Sequence, residues 1–265
     1  MPSTSREGAA MDRPITRRQF LFSMGYGALA FAGMGGREEP VQSRPYFQWA
    51  QLRYPGAWDP SPNGVSRFMA ELRKRTSIEA GVRKIEVEAG DESLFNLPFL
   101  CIAGRGDFPD PGEQAALWLR RFVEHGGFVL FDDATGIENS GFARGVEKWL
   151  EKAFPGETLK PLPADHTVYQ SFYLLTGAPG RKIVRPVLTG IERENLTPVI
   201  FTHNDLAGAW DGDPLGGYAN PCIPGGERQR ELAIRLGVNL AMYALTGNYK
   251  KDQVHIPFIL KRRKR

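Results

Sequence analysis

Between Phe99 and Asp133 the sequence reads as strand, helix, strand, and this unit limits the fold more than any other feature. Pro98 to Ala103 is a short continuous apolar run, the pattern of a strand covered on both faces. Asp110-Pro111-Gly112-Glu113 then opens a helix, with Asp as cap, Pro at the first position and Glu three residues after the cap. Ala115, Trp118, Leu119, Phe122 and Val123 form its buried stripe. Gly126-Gly127 ends it, because glycine takes the left-handed conformation that a helix end needs. Phe128-Val129-Leu130-Phe131-Asp132-Asp133 is therefore the strand after a crossover helix, and it closes on two adjacent carboxylates.

The same alternation runs through the chain. Tyr46 to Tyr54 reads as a first strand broken by Pro55-Gly56, and a helix follows from about Asn63, with Val65, Phe68, Met69 and Leu72 on one side. Ser61 and Asn63 are its candidate caps. Lys84 to Glu88 alternates like a half-exposed edge strand. Another amphipathic helix spans Phe142 to Phe154, Thr197 to Thr202 reads as a last buried strand, and Glu227 to Leu245 as a long helix apolar nearly all round beyond Ala233. Strands alternating with crossover helices imply an α/β fold, a mostly parallel sheet with helices on both faces. With 265 residues, 42% of them hydrophobic, the chain supports one sizeable core and no second full domain.

The ends read differently. Thr16-Arg17-Arg18-Gln19-Phe20-Leu21 and the apolar stretch to Met34 form a twin-arginine export signal, too short for a span of roughly 20 apolar residues. Ala30-Phe31-Ala32 offers a cleavage site. Residues 1–32 are thus read as signal, 33–45 as linker, 46–247 as the α/β domain and 248–265 as a basic tail, and the protein is expected to be periplasmic, or membrane-anchored and facing the periplasm. The formal charge of +4 comes from the closing Lys261-Arg262-Arg263-Lys264-Arg265. No aromatic-interleaved basic face supports nucleic-acid binding. The signal segment and the tail are the two places for membrane-surface contact.

In a parallel sheet, ligands bind beyond the carboxyl ends of the strands. Gathered by that rule, Arg53 and Tyr54, Arg105 and Asp107, Asp132 and Asp133, and His203, Asn204 and Asp205 fall along one edge, with His166 in a loop that could reach it. Successive strand residues point to opposite faces, so Asp132 and Asp133 cannot form a facing dyad. Asp132 is the site candidate, and Asp133 suits a cap for the turn at Ala134-Thr135-Gly136. Asp205 could likewise cap the chain from Leu206 onward. His125 fits the last turn of a helix without any function. Asp132 or Asp133 with His166, His203 and Asp205 would suffice chemically as metal ligands, though no short ligand spacing supports them. The sequence requires no cofactor. Cys101 reads as a small core hydrophobe, and neither it nor Ser171 sits on the glycine-framed elbow that a nucleophile needs. Cys222 lies in a Pro-flanked loop, and no spacing indicates a disulfide.

Gln51-Leu52-Arg53-Tyr54-Pro55-Gly56, the Gly126 to Asp133 strand, His166 to Tyr173, Asn204-Asp205-Leu206 with Trp210, and Arg235 to Asn239 leading into Met242 to Gly247 occur in order across Phe47 to Gly247. In these pieces the chain resembles the bacterial family known as domain of unknown function 4159. The resemblance implies a flavodoxin-like sheet similar to class I glutamine amidotransferases and trehalose-utilisation-like proteins, and it implies no particular activity. It also suggests an envelope-assembly setting, because members are often encoded near MoxR-type ATPases and von Willebrand factor A proteins. The missing elbow and triad argue against glutaminase activity. The expected function is a non-catalytic, exported domain that binds a small polar ligand or an envelope protein. The competing expectation is a metal-assisted hydrolase acting on a sugar or envelope component.

Overall fold

The computed structural model describes residues 46–262, with side chains through residue 246. The signal, the linker and the closing residues of the basic tail lie outside the described residues. The expected crossover is present: a strand at Phe99–Gly104 (β5), a helix at Gly112–Glu124 (α2) and a strand at Phe128–Asp133 (β6). The Gly112 amide donates to Asp110 Oδ1 at 2.9 Å in a turn just before the helix. The cap position falls on Pro111, without a side-chain cap bond, because Gly112 at φ 87° is not helical. The expected Asp cap with Pro at the first helical position is therefore not made. Gly126, at φ 87°, ends the helix in the left-handed region.

Before this unit come Tyr46–Phe47 (β1), Ala50–Arg53 (β2), the helix Gly64–Arg75 (α1), Glu79–Ala80 (β3) and Ile85–Glu88 (β4). The single first strand expected at Tyr46 to Tyr54 is two: β1 pairs with β3 in a small sheet of its own, and β2 enters the main sheet. After β6 follow the helix Gly141–Ala153 (α3), Lys160–Pro161 (β7), Thr189–Arg193 (β8), Leu196–Thr202 (β9) and the helix Gly226–Arg262 (α4), which continues past the Leu245 end expected. No helix among the described residues is long and apolar enough to cross a membrane.

The main sheet has seven strands in the order β4-β2-β5-β6-β9-β8-β7. The first five are parallel and follow the flavodoxin-like order, while β8 and β7 add an antiparallel edge. β8 reaches β9 through Glu194 and Asn195, both at positive φ (50° and 64°). That conformation suits a tight two-residue hairpin.

Side-chain alternation sorts the core into two layers. Trp49, Phe99, Cys101, Leu130 and Ile200 face α1 and α4, whereas Leu52, Ile102, Phe131, Val199 and Phe201 face α2 and α3. The result is a three-layer α/β/α domain. Cys101 is buried between strands, where burial pushes its thiol far above the ordinary range.

Candidate functional site

In the flavodoxin-like order the strand sequence reverses between β2 and β5, and the crevice outside their carboxyl ends is where ligands of such folds sit. Here β2 and β5 pair only at Ala50↔Leu100 and Gln51↔Cys101, so the strands part just where a crevice should open. The chain itself fills the gap. Tyr54 Oη donates to the Ala103 carbonyl at 2.9 Å, the Arg105 amide donates to the Ala57 carbonyl at 3.1 Å, and Gln51 Nε2 donates to the Trp58 carbonyl at 2.8 Å. Tyr54 also packs edge-on against Phe108, with centroids 4.9 Å apart. Burial raises its phenol pKa. Gly104 is required by this closeness: a Cβ there would lie 2.2 Å from Tyr54 Oη and 2.5 Å from the Phe142 ring. Arg53 turns away to the sheet edge, where it meets Glu86 at 3.8 Å and lies over the Trp58 ring.

The carboxylates are likewise occupied by their own chain. Asp132 and Asp133 are both buried and point to opposite faces, as the strand period requires. Asp132 accepts the Leu206 and Ala207 amides, each at 2.8 Å, and so holds the turn after β9. Burial, then the nearby Asp205 carboxylate, raise its pKa against these two amide donors. Asp133 accepts the Thr135 amide (2.9 Å), the Thr135 hydroxyl (2.6 Å) and the Ser140 hydroxyl (2.6 Å). Ser140 Oγ in turn caps α3 by accepting the Ala143 amide. Asp133 thus ties the end of β6 to the start of the next helix.

Asp205 is fully buried in a left-handed conformation, φ 54°. Its side chain pairs with Arg181 and accepts the Gly208 amide at 3.1 Å. Burial raises its pKa while Arg181 opposes the shift. Asn204 uses its whole side chain: Oδ1 accepts the Val184 and Arg185 amides, and Nδ2 donates to the Ala178 and Arg185 carbonyls.

The two histidines are not brought together. His203 stacks on Phe201, with centroids 4.2 Å apart. Its Nε2 lies 3.4 Å from both Arg185 Nη1 and Thr189 Oγ1. His166 caps a short 3-10 turn by accepting the Val168 amide on Nδ1, and its Nε2 meets Thr197 Oγ1 at 2.9 Å. Thr197 is buried near the start of β9, at the end opposite the carboxylates, and five residues of strand span roughly 17 Å. His166 therefore does not reach the strand-end edge as expected. Among the described residues no group of three or more His, Cys, Asp or Glu side chains could hold a metal ion, so Asp132, His166, His203 and Asp205 do not form the ligand set considered above.

What the sequence reading missed is the cationic rim. Arg181, Lys182 and Arg185 come from the loop before β8 and cross over the ends of β6 and β9, bonded by backbone to Asn204 and Asp205. The run Arg181-Lys182-Ile183-Val184-Arg185, between Pro179-Gly180 and Pro186, was a visible signal.

Burial, with Arg185 adding to it, lowers His203 to about 4. The ordinary value is about 6.5, so the unfolded chain takes up the proton first as pH falls. Stability present above about pH 6.5 is therefore lost on acidification towards pH 4, by up to about 3 kcal/mol for this one group. In His203→Phe, which keeps the stack on Phe201, that slope should be missing. Urea unfolding from pH 7 to pH 4 checks it, and parallel pH profiles for the two proteins would remove the assignment.

Fold and strand-end network together define a flavodoxin-like α/β domain whose ligand crevice is filled by its own chain. The chain belongs to the family described as domain of unknown function, DUF4159, whose model matches residues 48–245. No curated protein matches it.

Proposed function

We propose that this chain is an exported, non-catalytic relative of the class I glutamine amidotransferases that binds a polar ligand or protein partner in the cell envelope. The observation that carries the reading is the filled crevice: Tyr54 to Trp58 occupy the place of a ligand, and the carboxylates behind it bond to their own backbone. General acid-base work needs a carboxyl within reach of a substrate proton, and buried Asp132 and Asp133 offer none. Binding then falls to the rim, where Lys182 and Arg185, with Arg105 close enough for its charge to act on Asp205, make no ion pair among the described residues. A chain that folds before export suits the twin-arginine route, and such a domain needs no cofactor.

Ammonia release from glutamine, measured alongside the metal content of the purified protein, tests the non-catalytic reading. Neither turnover nor stoichiometric metal is expected. Glutamine turnover would refute the non-catalytic reading, and stoichiometric metal lost in His203→Ala would instead favour the metal-assisted hydrolase. Export is tested separately by replacing Arg17-Arg18 with Lys-Lys: the full chain should then accumulate in the cytoplasm, and undiminished export would refute the twin-arginine route.

A further inference from the structure

The rim carries apolar side chains as well as charge. Ile137, Ile183 and Ile223 are 63%, 43% and 51% exposed. They come from separate loops and are joined through Lys182. The Lys182 side chain lies across Gly136, beside Ile137, since a Cβ on Gly136 would be 2.5 Å from Lys182 Cδ. Lys182 pairs with Ile223 in an isolated bridge, and the Ile223 amide donates to the Arg181 carbonyl at 2.8 Å. Isolated exposed isoleucines need no explanation, but a set tied together through one lysine and flanked by cations marks an interaction surface.

The segments beneath are held firmly, by Asn204 under Val184 and Arg185 and by Gln229 Nε2 under Gly180, Arg181 and Ile223. A surface built on fixed backbone binds without a large ordering cost. Lys182, Arg185 and Arg105 make no ion pair among the described residues, unlike Arg75, Arg193, Arg230 and Arg235 elsewhere on the domain.

Resting on the binding reading above, we infer that this face docks an acidic segment of a partner protein that also presents aliphatic side chains. Aliphatic groups of the partner cover the isoleucines, and its carboxylates meet Lys182 and Arg185, which steer the encounter and set the register. The exposed Glu138 sits between Ile137 and Asn139, whose Oδ1 accepts from Arg185 Nη2 at 3.4 Å, and the exposed Asp107 follows Arg105 by two residues. A peptide can place its charges around them, whereas a uniformly anionic bilayer cannot, so the occupant is protein rather than lipid.

Fluorescence anisotropy of the full chain with short synthetic peptides tests this, using alternating Leu/Glu, Leu/Lys and Ser/Glu sequences together with phosphatidylglycerol vesicles. The Leu/Glu peptide should bind best. Lys182→Glu with Arg185→Glu should weaken it about tenfold, as should Ile183→Ser with Ile223→Ser, while Leu174→Ser, at an exposed site elsewhere, should change nothing. Hydrogen exchange on the unmodified protein should slow at 136–139 and 181–185 when the peptide is added, which keeps the test independent of how the variants fold. Equal binding of the other peptides, vesicle binding without peptide binding, or no protection in those segments would overturn the proposal. Peptide binding that survives both rim variants would overturn this face and leave the binding-domain reading intact. Glutamine turnover would remove that reading whatever the peptides do.

Discussion

Replacing Asn204 with alanine is expected to destabilise the domain by about 4 kcal/mol, since buried groups left unsatisfied cost about 1–3 kcal/mol each before relaxation. The side chain serves two amides and two carbonyls from the loop before β8, and it is itself fully buried. No rotation of a neighbour can replace four partners at once. For a domain of this size each kcal/mol lowers Tm by about 2–4 °C, so the loss should be about 12 °C. The loop also carries Lys182 and Arg185, so the rim should loosen with it. Differential scanning calorimetry measures the first effect, and a shift below about 2 °C, the scale of an ordinary surface change, would show that the loop is held by something else.

The crossover unit was legible because each of its signals is local. Asp110 closes its own turn just ahead of the helix, Gly126 ends the helix, and the apolar stripe of α2 repeats every turn. The opposed directions of Asp132 and Asp133 were legible for the same reason, being fixed by strand period alone. β8 was not, because Thr189-Gly190-Ile191-Glu192-Arg193 has too few apolar residues to stand out. Its signal lay in the Glu194-Asn195 turn.

The partners of the site residues were out of reach in principle. Arg181 lies 24 positions from Asp205 and the Leu206 amide 74 from Asp132, so only the fold brings them together. His166 was misplaced because nothing in a Pro-rich loop says which end of the sheet it reaches. Tyr54 was placed correctly after its strand, yet its inward turn depends on Gly104, whose missing side chain leaves the space.

Asp132 bears most directly on whether the strand-end carboxylates serve the fold or a reaction. In Asp132→Ala the Leu206 and Ala207 amides lose their acceptors inside the protein. Two such orphaned donors outweigh the relief of removing a buried carboxyl near Asp205, for a net loss of about 2–4 kcal/mol. The pH dependence has a definite sign. Because the folded-state pKa of Asp132 is raised above the unfolded value of about 3.9, the native state holds the proton longer. The stability this contributes is present in acid and declines as pH rises through the folded pKa. The gap between wild type and variant should therefore be wider at pH 5 than at pH 8.

A carboxylate kept for chemistry behaves in the opposite way, since active-site groups are commonly held at a cost to stability that their removal relieves. Urea unfolding of wild type and Asp132→Ala at pH 5 and pH 8 separates the two cases. A less stable variant at both values, with the larger deficit at pH 5, is what a structural carboxylate requires. A variant as stable as wild type, or more stable, would contradict the conclusion that this strand end is built to hold the fold.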